Sequence, residues 1–154
     1  MIIEKALVTD SHKIAELLSI HYQYLNKNLG LDYYTSDLEI MKKHVMERIM
    51  NTHSDFSYFV CRENTGDIDF LGFVNVLNQN NRGEILVLLL NDSTEKSPNS
   101  SEVRKLLFTH ALNFLKSNNA SKITIELSDD EKELMDIVNE MSPKKMSSYY
   151  LLTK

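Results

Sequence analysis

Apolar positions along this chain repeat with two different periods. Residues 2–8, 58–63, 68–77, 122–127 and 147–153 tend to alternate apolar and polar, which predicts strands with one buried face. Residues 84–91 are different, because Ile85, Leu86, Val87, Leu88, Leu89 and Leu90 run without a polar break. Such a run predicts a central strand covered on both faces. Other stretches repeat at helical spacing. Ile14, Leu17, Leu18, His21 or Tyr22, and Leu25 form one stripe, with Thr9, Asp10 and Ser11 as a capping cluster and an end near 26–30. Leu38, Met41, Val45 and Ile49 form a second, capped by Thr35, Ser36 and Asp37. Val103, Leu106, Leu107, His110, Ala111, Phe114 and Leu115 form a third, opening near Ser100 or Ser101. Leu134, Ile137, Val138 and Met141 form a fourth, begun by Asp129 or Asp130 and stopped by Ser142 and Pro143.

Turns fit between these elements. Residues 64–67 and 78–83 carry the Asn, Gly and Asp signals of hairpin connections. Residues 93–101 are polar and contain Pro98, which predicts a loop. The order is therefore βααβββαβαβ, an α/β (α+β) chain with a mixed central sheet and helices on both faces. Strand 84–91, a helix and strand 122–127 make a parallel pair with a helical crossover. The chain of 154 residues reads as one domain, 1–154, with no repeat and no linker.

Composition narrows the function classes. Hydrophobic residues make up 42% and charged residues 25%, ordinary for a soluble domain. The longest apolar run is far too short to span a bilayer, and the start lacks the basic and apolar regions of a signal peptide. A cytoplasmic protein with no membrane partner is expected. The net charge is −5 and the basic residues are scattered, so no nucleic-acid surface is expected. Acidity favours a cationic substrate such as an amine. Cys61 is the single cysteine and lies in a strand pattern, where an inert thiol is expected. The five histidines show no ligand spacing, so no metal is expected. No nucleophile-elbow glycines surround Ser100 and Ser101, so hydrolase chemistry has no support.

The stretch from 57 to 115 carries the functional signal. A buried strand ends in a loop and feeds a helix start, where free N–H groups and the helix dipole favour an anion. The order of elements resembles that of the GCN5-related N-acetyltransferase superfamily over nearly the whole chain. Residues 4–10 with Ile14, Leu17 and Leu18 look like its first strand and helix. Tyr58, Phe59, Val60 and Cys61 through Phe70, Leu71, Gly72, Phe73 and Val74 look like its second and third strands, and residues 83–88 like its fourth.

This resemblance implies a fold with a V-shaped opening between strands 84–91 and 122–127. It implies acetyl-coenzyme A as co-substrate there, its pantetheine arm along Leu88, Leu89 and Leu90 and its pyrophosphate at Asn99, Ser100, Ser101, Glu102 and Val103. The family loop, Arg/Gln-x-x-Gly-x-Gly/Ala, is not reproduced. One register puts Pro98, Ser101 and Val103 at its key positions, another puts Asn99 and Ser101 at the glycines. Proline has no N–H to donate, and a valine beside pyrophosphate would crowd it. Serine can donate through N–H and hydroxyl. The resemblance also implies a carboxylate base on the fourth strand, here Glu84. It implies a tyrosine acid in the helix after strand five, where this chain has none. Tyr149 and Tyr150 on the last strand stand as substitutes. Tyr22, Tyr33 and Tyr34, at the end of the first helix and the loop after it, occupy the region that walls the acceptor site in the family. An N-acetyltransferase acting on a small-molecule or peptide amine is the leading expectation. The alternative is a non-catalytic ligand- or partner-binding member of the fold. Monomer and homodimer are both left open.

Overall fold

A computed structural model describes residues 1–30, 36–65, 69–127, 131–141 and 143. Five strands form one sheet in the order β1-β2-β3-β4-β5. They are β1 (Ile2–Lys5), β2 (Phe56–Arg62), β3 (Gly72–Gln79), β4 (Arg82–Leu90) and β5 (Lys122–Ile125). The first four are antiparallel to their neighbours, and β5 runs parallel to β4. The helices are α1 (Ser11–Leu29), α2 (Leu38–Met50), α3 (Asp92–Glu95), α4 (Ser100–Ser117) and α5 (Lys132–Asn139).

Alternation along the strands sends side chains to two separate cores. Val74, Val76, Ile85, Leu88 and Leu90 meet Val103, Leu107, Ala111 and Leu115 of α4 and Leu134, Ile137 and Val138 of α5. Tyr58, Val60, Phe73 and Val87 meet Ile14, Ala15 and Leu18 of α1 and Met41 and Val45 of α2. The continuous apolar run of β4 is thus needed on both faces, as the sequence predicts.

Local chemistry refines several expected boundaries. The first strand is shorter than 2–8, because Val8–Asp10 turns into a 3-10 helix. Asp10 precedes α1, but its carboxylate makes no cap bond to that helix. It accepts from the Leu7 N–H at 2.8 Å and from Arg62 Nη2 at 2.6 Å instead. The stretch expected to be loop from residue 93 opens with α3, since Asn91 caps it by accepting from the Thr94 N–H at 2.8 Å. Leu106 lies outside the buried stripe of α4, and Phe108 lies in it. The α5 helix begins at Lys132, later than expected. The expected strand 147–153 and the caps Asp129 and Asp130 lie outside the described residues.

Candidate functional site

Two departures from regular sheet geometry make an opening beside β4. The β3–β4 register pairs Asn75 with Val87 but Val76 with Ile85, so Leu86 is one extra residue in β4. A bulge of this kind bends its strand and breaks the ladder. The β4–β5 pairing covers only four positions and ends at Ile85 with Ile125. From Leu86 to Leu90, the β5-facing edge of β4 has no strand partner among the described residues. The gap begins where the bulge sits. Its β4 wall carries Leu88 and Leu90, buried towards α4, and Leu89, partly buried towards α1 and α2. Unpaired N–H and C=O groups on such an edge are what an extended amide-containing arm needs.

Gly72 keeps the far end of β4 in place. A Cβ there would sit 2.5 Å from Leu90 Cδ2 and 2.6 Å from the Leu89 carbonyl oxygen. Asn91 then donates from Nδ2 to the Phe70 carbonyl at 2.6 Å and turns the chain into α3.

Beyond α3, the start of α4 is a partial anion site. Asn99 is exposed, and its carbonyl accepts from the Val103 N–H at 3.0 Å. The Ser100 N–H reaches Ser97 O at 3.3 Å, and Ser100 is buried. Ser101 and Glu102 are exposed, and their N–H groups have no partner among the described residues. Val103 follows its place on the helical stripe rather than the loop register. Its side chain is wholly buried against the sheet and its N–H is used within the helix. It therefore neither crowds an anion nor donates to one. Pro98 is exposed and contributes no N–H. Arg104 is the nearest cation on the helix, but it is bonded to Glu95 of α3 and Glu133 of α5. The free N–H pair and helix dipole favour a phosphate here, while Glu102 and Glu95 oppose it.

Glu84 lies two residues before the bulge, opposite Leu77 on β3 and Thr124 on β5. It lines an open cavity of about 550 Å³ with Leu77, Gln79, Arg82, Lys122 and Thr124. Glu84 is half-buried and makes no ion pair with Arg82 or Lys122. The turn that positions Arg82 is Asn80-Asn81, with φ of 51° and 62°. Asparagine tolerates this left-handed conformation better than most residues. Ser121 clamps the turn to the start of β5 by donating its N–H to the Asn81 carbonyl at 2.9 Å.

Two further polar groups are half-buried or buried: Asn75, not singled out by sequence pattern, and His21, named there only as an alternative position on the first helical stripe. Asn75 is 5% exposed in β3, and its Oδ1 has no hydrogen-bond partner among the described residues. Its register neighbours Tyr58 and Val87 belong to the core under α1 and α2. His21, on α1, is held neutral to lower pH by burial, an effect partly countered by the negative charge of Glu131 before α5. No linear motif announces Asn75, because its burial depends on which face of β3 it takes.

Of the tyrosines expected near an acceptor, Tyr22 is partly buried in the same core as Leu89 and contacts the His21 ring at 5.6 Å. Tyr33, Tyr34, Tyr149 and Tyr150 lie outside the described residues. His110 packs edge-on against Phe59 at 4.6 Å, as its place on the α4 stripe predicts. Cys61 is buried in β2, and burial pushes its thiol up to about 11. No described helix is long and apolar enough to cross a membrane.

Comparison with solved structures places this architecture. No protein-family model matches the sequence, and no curated protein matches it. A mutant of the BH1408 protein from Bacillus halodurans superposes with a TM-score of 0.74 at 13% identity, covering 100% of this chain and 99% of that one. The ribosomal-protein-alanine N-acetyltransferase of Brucella melitensis biovar Abortus 2308 gives 0.63 at 12% identity, with 100% of both chains covered. An aminoglycoside acetyltransferase from an uncultured soil metagenomic sample gives 0.59 at 16% identity, covering 99% of this chain and 96% of that one. The similar structures also include one called a transcriptional regulator. At these identities the likeness is one of fold, and the fold is that of the N-acetyltransferase superfamily that the sequence resembles.

Proposed function

We propose that this chain, built on the GCN5-related N-acetyltransferase fold, transfers an acetyl group from acetyl-coenzyme A to a primary amine of a small molecule or peptide. The observation that carries the reading is the coincidence of the Leu86 bulge with the end of β4–β5 pairing. It leaves one edge of β4 unpaired on the strand that leads through α3 to α4, where the Ser101 and Glu102 N–H groups are free among the described residues. An arm with amides and a phosphate fits that path. Solved acetyltransferases of the same fold support the same class of chemistry, including one named for aminoglycosides and one for a protein's alanine.

The thioester supplies an activated acyl carbon and a thiolate leaving group. This chain's task is to hold the acceptor and move its proton. Glu84 accepts a proton from the acceptor ammonium, directly or through a water, which frees the nitrogen lone pair. The C–N bond forms as the C–S bond breaks, and the departing sulfur ends protonated. Tyr149 and Tyr150 remain candidates for that last proton. Tyr22, Tyr33 and Tyr34 are assigned to the acceptor wall.

The first test is binding. Acetyl-coenzyme A at a hundred times its dissociation constant should add about 2.7 kcal/mol to stability. Free pantetheine should shift it less, since the phosphate contacts are missing. No shift at millimolar acetyl-coenzyme A would sink the reading. The crowding of acids at the start of α4 favours the second reading, a ligand-binding member that has lost coenzyme recognition, and that outcome would select it.

A further inference from the structure

The cavity around Glu84 contains charges of both signs that do not neutralise one another. Arg82 and Lys122 are register partners at the start of the parallel β4–β5 pair, and both line it. Side chains at register partners and at i, i+2 share one face of a sheet. Arg82, Glu84, Lys122 and Thr124 therefore project together. Two cations placed side by side repel, and such pairs are normally relieved by a carboxylate. Here neither has an acidic partner within 4.0 Å among the described residues. Lys13 pairs with Asp69, Lys96 with Asp92 and Lys105 with Glu140, while exposed Lys5, Lys27, Lys43, Lys116 and Lys132 have no ion pair among the described residues, so what marks this site is two unpaired cations set side by side next to an unpaired carboxylate. The Glu84 carboxylate likewise makes no ion pair, although two cations line the same space.

We propose that the acceptor is an amino acid, or another amine bearing a free carboxylate, with its ammonium at Glu84 and its carboxylate between Arg82 and Lys122. The inference rests on the acetyl-transfer reading and adds the substrate class. The charge pattern selects it over a simple amine. A plain ammonium would satisfy Glu84 and leave the two cations facing each other. A simple anion would satisfy the cations and leave Glu84 in its field. A zwitterion answers all three charges at once, and the Thr124 hydroxyl can donate to its carboxylate. The ammonium end then lies nearer the bulge, because Glu84 is two residues closer to Leu86 than Arg82 is. That is the end that must reach the gap between β4 and β5.

The test uses matched pairs of acceptors, lysine against cadaverine and phenylalanine against phenethylamine. The intact protein should show a kcat/KM at least about tenfold higher for the amino acid of one pair, the worth of one good charge-assisted contact. In an Arg82→Met, Lys122→Met double variant that ratio should fall towards one. These positions are exposed, so the variant should fold, which circular dichroism checks. Equal turnover of both members of each pair overturns the inference and leaves acetyl transfer standing. So does a preference that survives the double variant. Should neither member be acetylated, calorimetry with the amino acids alone separates the two ideas. Binding that is lost in the double variant supports the amino-carboxylate site and removes the transfer reading, while no heat in either protein overturns both.

Discussion

Glu84 and Asp10 are both carboxylates near strand ends, yet they do opposite work. Asp10 is 2% exposed and bonded to Arg62 and the Leu7 amide, so it is spent on structure. Arg62 also reaches Glu4 Oε2 at 3.1 Å. Removing one member of a buried pair leaves an uncompensated charge, and Asp10→Ala should cost about 3–5 kcal/mol. Denaturant unfolding measures this, and replacing Arg62 by Met in the same chain should recover part of the loss. Glu84 has no such partner and is the candidate proton acceptor. Glu84→Gln should lower turnover about a hundredfold to ten-thousandfold near neutral pH. The loss should shrink as pH rises and the amine deprotonates unaided. Wild-type turnover across that range would rule the residue out. Asn75 offers a sharper contrast. Its buried Oδ1 has no bond to lose, so Asn75→Leu should leave stability unchanged or raise it, where removing a satisfied buried group costs about 1–3 kcal/mol.

At the scale of elements, β4 joins the fold to the site. The run from Ile85 to Leu90 was legible in the sequence because burial on both faces demands apolar residues at every position. The crossover to β5 was legible because a strand, helix and strand in one sheet imply a parallel pair. The Leu86 bulge was not legible. An extra residue inside an all-apolar run changes no periodicity that could be read, and it appears only when the β3 partners are placed. Val103 carried two readings in the sequence, the helical stripe and the pyrophosphate register, and its burial follows the helical phase. Gly72 tests how tightly β4 is set. Gly72→Ala would drive a methyl into the Leu89 carbonyl, which is backbone and moves only with the strand. It should cost about 1–3 kcal/mol and weaken acetyl-coenzyme A binding, measured by thermal melting and calorimetry on one sample. Unchanged affinity at lowered stability would mean that the ligand does not run along this part of β4.

At the scale of the whole molecule, acidity and two half-buried histidines set the response to pH. Burial lowers the pKa of His110 beside Phe59, and burial lowers that of His21 despite the opposing charge of Glu131. In both cases the unfolded chain binds the proton more readily than the folded one. The unfolded form titrates near its ordinary value of 6.5. Stability from keeping these rings neutral is therefore fully present above about pH 6.5 and is lost as pH falls through the lowered folded values. Urea midpoints should hold steady from pH 8 to about 7 and decline below about 6.5, before most carboxylates protonate. A His21→Gln, His110→Gln double variant should flatten that decline, although its stability at neutral pH will differ from the parent for packing reasons. Glu131 gives the two sites different behaviour. Glu131→Gln removes the charge that supports the His21 proton, so it should steepen the decline, whereas no acidic side chain plays that part at His110. If the parent and the double variant lose stability in parallel between pH 6.5 and 5, the histidines are not the source.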